Sequence, residues 1–319
     1  MLYPWQESQW QNIRQQMKQQ RLPHALILTG ASGLGKLSLA NHIAATVLCE
    51  SNQNQEICGR CHSCQLFIAG SHPDHNLIQP EEAGKQIKIE QIRQLKDKQE
   101  LTPTVAKWKT VIISPAENMN INANNSLLKL LEEPQKNTVL ILISAKPEQL
   151  PITILSRCQK VSLSPPPKEN AIHWLQQQSA VAKQADDILP LLKLAKGAPL
   201  AVLNMLETDL INKLQQLDDD FESLLQGQAN PVLLAKDWLH YDLLMVFNYL
   251  QHNIKTRILK IQEQDSNCDS AQYWTIYDCI IATIKLISSS NNINKTLLIE
   301  QFMVSVIKRD LNKTSVLNR

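Results

Sequence analysis

One short segment constrains the fold of this chain more than any other. Residues 30–36, GASGLGK, follow an apolar run at 24–29 and precede a stretch of helical periodicity at 36–48. Glycines allow backbone N–H groups to surround phosphate oxygens, and a lysine at the end of such a loop reaches the outer phosphates. The segment therefore predicts a phosphate-binding P-loop between a strand and a helix; the alternative is a Gly-rich turn that only joins them. The predicted phosphate-binding residues are Gly30, Gly33, Gly35 and Lys36.

The residues that would complete an ATPase around this loop are missing. A serine or threonine hydroxyl should follow Lys36 and ligate magnesium, but the next residue is Leu37. The apolar run at 109–113 should end in acidic residues, yet it ends in Ser-Pro-Ala at 114–116. Glu117 comes next, and we interpret it as a solvated or helix-capping acid. The sequence therefore predicts no ATP hydrolysis by this chain alone and leaves ATP binding open.

Strand-like and helix-like segments alternate along the first half of the chain. Such alternation predicts an α/β fold with a parallel sheet and helices on both faces. The predicted strands are 24–29, 75–78, 109–113, 138–144 and 160–163. Three consecutive prolines at 165–167 then end the pattern, because they form a stiff, extended linker.

Helical periodicity dominates the chain after this linker. Segments 170–178 and 188–195 resemble two helices of a small bundle. Longer amphipathic segments follow, with apolar faces at 238–250 and 273–287 among them. The predicted domains are 1–165, 166–207 and 208–319.

Four cysteines cluster directly after the helix that follows the P-loop. Cys58, Cys61 and Cys64 form two overlapping C-x-x-C pairs, and Cys49 precedes them. Such turns place two thiolates on one tetrahedral ion, so four thiolates predict a closed, structural zinc (Zn²⁺) site. The alternatives are reduced loop thiols or a redox pair. His62 and His72 take no part in this interpretation.

Composition limits the possible functions. The net charge is +2 among 32 basic and 30 acidic residues, which argues against binding nucleic acid mainly through the overall field. The first residues lack the pattern of a secretory signal, and no apolar run approaches the roughly 20 residues of a membrane span. We therefore expect a cytoplasmic protein that has no membrane partner.

Several segments together resemble one family. These are Tyr3-Pro4-Trp5, the P-loop with its four-cysteine insertion, residues 125–134 (NSLLKLLEEP) and Ser156-Arg157-Cys158. Over about two thirds of its length the chain resembles the delta-prime subunits of bacterial DNA polymerase III clamp loaders, which are AAA+ proteins. The resemblance implies an AAA+ core, a small helical lid and a C-terminal helical domain that packs into a pentameric collar.

The same resemblance implies a role for Arg157. In this family the arginine acts in trans, stabilising charge on the ATP of an adjacent motor subunit, a task suited to a permanently charged fork. The implied partners are tau/gamma ATPase subunits and a delta subunit in a hetero-pentamer, and through that complex the sliding clamp and primed DNA. The chain would be part of the DNA polymerase III holoenzyme, a nucleotidyltransferase, without hydrolysing ATP itself.

Two alternatives belong to other functional classes. The first is an active ATPase that remodels nucleic acid by itself, against which the missing acids after residue 113 count. Within the resembled family, the alternative is an ATP-hydrolysing motor subunit of the tau/gamma type, which the missing ATPase elements disfavour. The second is a DNA-binding protein that uses the cysteine module for contact. Only Arg60 inside the module and Lys85 and Lys88 beyond it are basic, and no interleaved aromatic residues offer stacking.

Overall fold

The computed structural model describes most of the chain, which forms two compact units, Met1–Asn204 and Met205–Arg319. The residues described are 2–51, 56–82, 84–100, 102–178, 188–208, 210–264, 271–289 and 294–314.

A parallel sheet forms the centre of the first unit. Its strands are β1 (Ala25–Thr29), β2 (His75–Ile78), β3 (Lys109–Ile113), β4 (Thr138–Ser144) and β5 (Gln159–Ser162). They lie in the order β2-β3-β4-β1-β5, and every neighbouring pair is parallel. All residues of β1, β3 and β4 are buried, as expected for parallel strands covered on both faces.

Helices cover both faces of this sheet, and further helices follow it in the chain. In chain order they are α1 (Glu7–Lys18), α2 (Lys36–Leu48), α3 (His62–Ile68), α4 (Ile89–Glu100), α5 (Ile121–Glu132), α6 (Ile152–Leu155), α7 (Lys168–Gln176), α8 (Ile188–Leu194) and α9 (Pro199–Glu207). Alternate residues of β1 point to opposite faces. Ile27 packs in the cluster that holds residues of α4 and α5, whereas Leu26 and Leu28 pack with residues of α1 and α2. The α/β fold predicted from the alternating pattern is confirmed.

Helices make up the second unit among its described residues. They are α10 (Leu210–Leu225), α11 (Pro231–Trp238), α12 (Leu243–Gln264), α13 (Ala271–Ser289) and α14 (Lys295–Thr314). An aromatic contact anchors the core, in which the rings of Phe247 and Phe302 lie 4.9 Å apart, edge to face. Within the described ranges, no single helix has the length and hydropathy of a membrane span, and only α8 and α9 taken together, bent by 114°, do.

The helical pattern at 238–250 was expected to form one helix, and this expectation is wrong. Helix α11 ends at Trp238 and α12 begins at Leu243. The cause is local, since the Asp242 carboxylate accepts the N–H groups of Leu244 and Met245 at 2.9 and 3.3 Å. Such a side-chain acceptor caps the N-terminus of a new helix.

Candidate functional site

The segment at 30–36 has the strand–loop–helix context predicted for it. Strand β1 ends at Thr29, helix α2 begins at Lys36, and the loop between them turns sharply. Gly30, Gly33 and Gly35 have φ angles of 140°, 81° and 76°. L-residues with a side chain rarely adopt these angles, so the backbone path itself requires the three glycines.

The loop is also packed closely by other segments of the first unit. A Cβ atom on Gly33 would lie 2.5 Å from the backbone nitrogen of Ala201 in α9, and one on Gly35 would lie 2.6 Å from the ring of Tyr3. Leu200 donates its N–H to the Gly33 carbonyl at 3.1 Å. The glycines therefore provide close approach of neighbouring segments as well as the turn.

Lys36 is bound to the loop itself. Its side chain is buried, and Nζ donates to the carbonyls of Gly30 and Ala31 at 2.7 and 2.8 Å. Burial lowers the pKa of Lys36, and the nearby carboxylate of Glu117 partly opposes this effect. To reach a phosphate, the ammonium group would have to give up one or both of these carbonyl contacts.

A cavity of about 450 Å³ lies beside the loop. Its lining consists of Ser32, Gly33, Gly35, Lys36, Leu37, Ser38, Ser114, Pro115, Glu117, Ile143, Ala145 and Leu200. Apolar Leu37 and Pro115 therefore stand in the wall where an ATPase needs oxygen ligands for magnesium. This cavity has the position of a nucleotide site but a poor set of metal ligands.

Glu117 does not have the role expected of it. It was interpreted as a solvated or helix-capping acid, but Oε1 accepts the N–H of Ala145 at 2.9 Å. The other carboxylate oxygen is buried and has no hydrogen-bond partner among the described residues. The physical reason is a 3-10 turn, Ala116–Asn118, which directs the carboxylate back to the cavity at the ends of β3 and β4. The sequence offered no signal for this turn.

The four cysteines converge on one point, as their spacing predicted. Their sulfur atoms all lie within 4.8 Å of one another. The Cys49 and Cys61 sulfurs are 4.0 Å apart, and those of Cys58 and Cys64 are 3.9 Å apart. A tetrahedral zinc ion with Zn–S bonds of about 2.3 Å needs sulfurs about 3.8 Å apart. The cluster therefore fits a metal ion of this size after small shifts of the side chains.

Backbone N–H groups favour the thiolate form of Cys58 and Cys61, whereas burial raises the pKa of Cys49 and Cys64. Cys61 and Cys64 donate their N–H groups to the sulfurs of Cys58 and Cys61, each at 3.4 Å. The N–H groups of Arg60 and Cys61 lower the pKa of Cys58 to about 6. Because a metal binds the thiolate rather than the thiol, this lowered pKa favours ligation near neutral pH.

A series of buried hydrogen bonds links the cysteine cluster to Asp74, just before β2. Ser63 donates its hydroxyl to the Leu48 carbonyl at 2.7 Å, and its oxygen lies 2.8 Å from His72 Nε2. The other ring nitrogen of His72 accepts the N–H of Asp74 at 3.0 Å. His72 thus lies outside the metal cluster, as expected, and has a structural role that sequence reasoning missed.

Arg157 lies at the end of α6 with its side chain 35% exposed. One terminal nitrogen, Nη1, donates to the Thr153 carbonyl at 2.9 Å. The other, Nη2, lies 2.8 Å from a carboxylate oxygen of Glu132 at the end of α5. The structure therefore places the arginine at the surface of the first unit, and Arg157 does not line the cavity beside its own P-loop. The ion pair with Glu132 was not predicted.

A parallel sheet in the order β2-β3-β4-β1-β5, with a P-loop between β1 and the next helix, defines an AAA+-like domain. Residues 5–167 match the family model described as DNA polymerase III, delta subunit. The chain is 32% identical to the DNA polymerase III subunit delta' of Pseudomonas aeruginosa, with 95% of this chain and 96% of that protein covered. The chain therefore belongs to the family of DNA polymerase III delta' subunits.

Two further relatives show how much of the chain is similar to delta' and to tau subunits. The delta' subunit of Escherichia coli K12 is 31% identical over 78% of this chain and 71% of its own length. The tau subunit of Bacillus subtilis is 34% identical, but over only 49% of this chain and 27% of its own length. The similarity to delta' thus extends much further along the chain than the similarity to tau.

Proposed function

We propose that this chain is a non-hydrolysing, stator-like subunit of a clamp-loader complex. It supplies Arg157 in trans to ATP held by a neighbouring motor subunit and helps load the sliding clamp onto primed DNA during replication. One contrast carries this proposal. The chain's own loop lacks oxygen ligands for magnesium at Leu37 and Pro115, whereas Arg157 lies at the surface.

The contacts around the P-loop support the absence of hydrolysis. Lys36 is already bound to two loop carbonyls, and α9 packs on Gly33 through Ala201 and Leu200. A nucleotide could still enter the adjacent cavity, and we leave binding open. Position 37 has no hydroxyl, no acid directly follows β3, and the Glu117 carboxylate already accepts the Ala145 N–H, so a bound nucleotide would lack the groups that hold magnesium and position water.

The surroundings of Arg157 support a role in trans. A guanidinium has five N–H donors in a planar fork. Two contacts, with the Thr153 carbonyl and the Glu132 carboxylate, hold one hydrogen on each terminal nitrogen, and the second is a half-exposed ion pair that an incoming anion can displace. Such a fixed, charged fork is the group that stabilises charge on a transferred phosphate.

The assembly and cofactor follow from the same proposal. We infer that the chain joins tau/gamma ATPase subunits and a delta subunit in a hetero-pentamer in the cytoplasm, where a bacterial chromosome is replicated. Its division into a core at 1–165, a lid at 166–207 and a collar domain at 208–319 is part of this proposal. Cys49, Cys58, Cys61 and Cys64 would hold one structural zinc ion, because four thiolates leave no open coordination position.

ATP turnover of the purified chain tests the absence of hydrolysis. The chain, with primed DNA and its sliding clamp, should show no turnover above that of its Lys36→Ala variant. Addition of the partner motor subunits should then produce DNA-stimulated turnover. Robust turnover by the isolated chain that Lys36→Ala abolishes would refute the stator assignment.

That refuting result would support the second candidate, an ATP-hydrolysing motor subunit of the tau/gamma type. One observation favours this candidate, which is the Glu117 carboxylate in the cavity near Lys36. The partial identity with a tau subunit is consistent with it. Leu37 and Pro115 in the wall of the same cavity count against it.

A further inference from the structure

The ion pair on Arg157 joins the ends of two helices. Glu132 is the last residue of α5, and Arg157 follows the C-terminus of α6. Their charged atoms lie 2.8 Å apart, and the side chain of Arg157 is 35% exposed and that of Glu132 is 49% exposed. The pair is therefore formed within the chain itself and lies where a neighbouring molecule can reach it.

The same guanidinium cannot serve two anions equally. A carboxylate at hydrogen-bond distance occupies one face of the donor fork and offsets part of its positive charge. An incoming phosphate needs those donors and that charge. Because the pair is half-exposed, solvent screens it, and it breaks readily.

We propose that the Glu132 carboxylate competes for the Arg157 guanidinium with the phosphate of the nucleotide bound by the neighbouring subunit. Engagement of the arginine with that phosphate then requires the Glu132 contact to be given up. This proposal rests on the proposed function of Arg157 in trans. Glu132 is a positioning residue in this scheme, because it acts through the arginine and does not touch the nucleotide.

The size of the effect follows from the exposure of the pair. Half-exposed ion pairs shift an equilibrium by about 1.4- to 5-fold. Glu132→Gln removes the charge and keeps the side-chain shape. In a complex assembled with the partner motor subunits, it should raise kcat for ATP by a factor in this range. The KM for ATP should stay unchanged, since Glu132 makes no contact with nucleotide in this scheme.

Glu133→Gln is the matched control, because Glu133 is the next residue, is exposed, and loses the same charge. It should leave kcat unchanged. A second measurement uses the full isolated chain: phenylglyoxal should modify Arg157 faster in Glu132→Gln than in Glu133→Gln, as read by peptide mass spectrometry. This reading does not depend on any partner subunit.

Arg157→Ala distinguishes a failure of the competition by Glu132 from a failure of the proposed role of Arg157 in trans. If Arg157→Ala lowers turnover but Glu132→Gln leaves it unchanged or lowers it, the competition is refuted and the role of Arg157 stands. If Arg157→Ala has no effect, the proposed function itself fails. A rise in kcat with Glu132→Gln that disappears in the Arg157→Ala background supports the competition.

Discussion

Asp74 is a buried acid whose carboxylate accepts three backbone N–H groups in the first unit. Its side chain is 1% exposed and lies just before β2. Oδ1 accepts the N–H of Thr104 at 2.7 Å, and Oδ2 accepts those of Val105 and Ala106 at 2.8 and 2.9 Å. This carboxylate therefore fixes the segment that leads into β3. The backbone N–H of the same residue donates to His72, which links it to the cysteine cluster.

Asp74→Asn should destabilise the protein by about 2–4 kcal/mol. The asparagine amide has one acceptor oxygen, so at least one of the three N–H groups must face an NH₂ group instead. A hydrogen bond to a charged group contributes about 1.5–3 kcal/mol, and a buried donor without a partner costs about 1–3 kcal/mol. Chemical denaturation at pH 7 measures the change in the free energy of unfolding.

The difference in the free energy of unfolding between the wild-type protein and Asp74→Asn should also depend on pH. Burial opposes ionisation of Asp74, but the N–H groups of Thr104, Val105 and Ala106 outweigh it and lower the pKa of this carboxyl. The folded pKa lies below the unfolded value of about 3.9, so its contribution is complete above that value and is lost as pH falls through the folded pKa. The stability gap should therefore narrow below about pH 4.

Asp219→Asn serves as the control, since Asp219 is exposed and the charge change is the same. It should alter stability by less than about 0.5 kcal/mol. If Asp74→Asn is no more destabilising than Asp219→Asn at pH 7, the account of this buried carboxylate is wrong.

Two further predictions concern the loop and the cysteine cluster. Gly33→Ala should lower stability by at least about 1 kcal/mol more than Gly70→Ala: both glycines have positive φ, but only at Gly33 would a Cβ meet Ala201. Equal losses in thermal unfolding would contradict the packing argument. Cys64→Ser should reduce bound metal from about one zinc per chain, measured by elemental analysis, whereas Cys279→Ser should not. A metal-free, fully folded wild-type chain would exclude the site.

Local patterns in the sequence were sufficient to predict the α/β core and the cysteine cluster. The P-loop is a contiguous motif with a strand before it and a helix after it, so residues 24–48 carry all of its signals. The spacing of the four cysteines likewise predicts that their sulfurs converge on one point. Asp242 is also a local signal, and its capping role could have divided the helix expected at 238–250.

The rest depended on packing between distant segments. The ion pair of Arg157 with Glu132 exists because α6 lies against the end of α5, and neither residue signals the other in sequence. The contact of Ala201 with Gly33 likewise joins segments far apart in the chain. Glu117 faces the cavity only because a short 3-10 turn redirects it, and apolar periodicity cannot report such a turn.

The most direct test of the central claim is ATP turnover in a complex containing Arg157→Ala. At the motor site adjacent to this chain, loss of a trans arginine should lower turnover by about 10³-fold or more. Assembly should be intact by size-exclusion chromatography, since Arg157 is half-exposed and its ion pair adds little stability. Arg157→Lys, which keeps the charge without the fork, should recover only part of the rate. An assembled Arg157→Ala complex that hydrolyses ATP and loads clamps at the wild-type rate would contradict the claim.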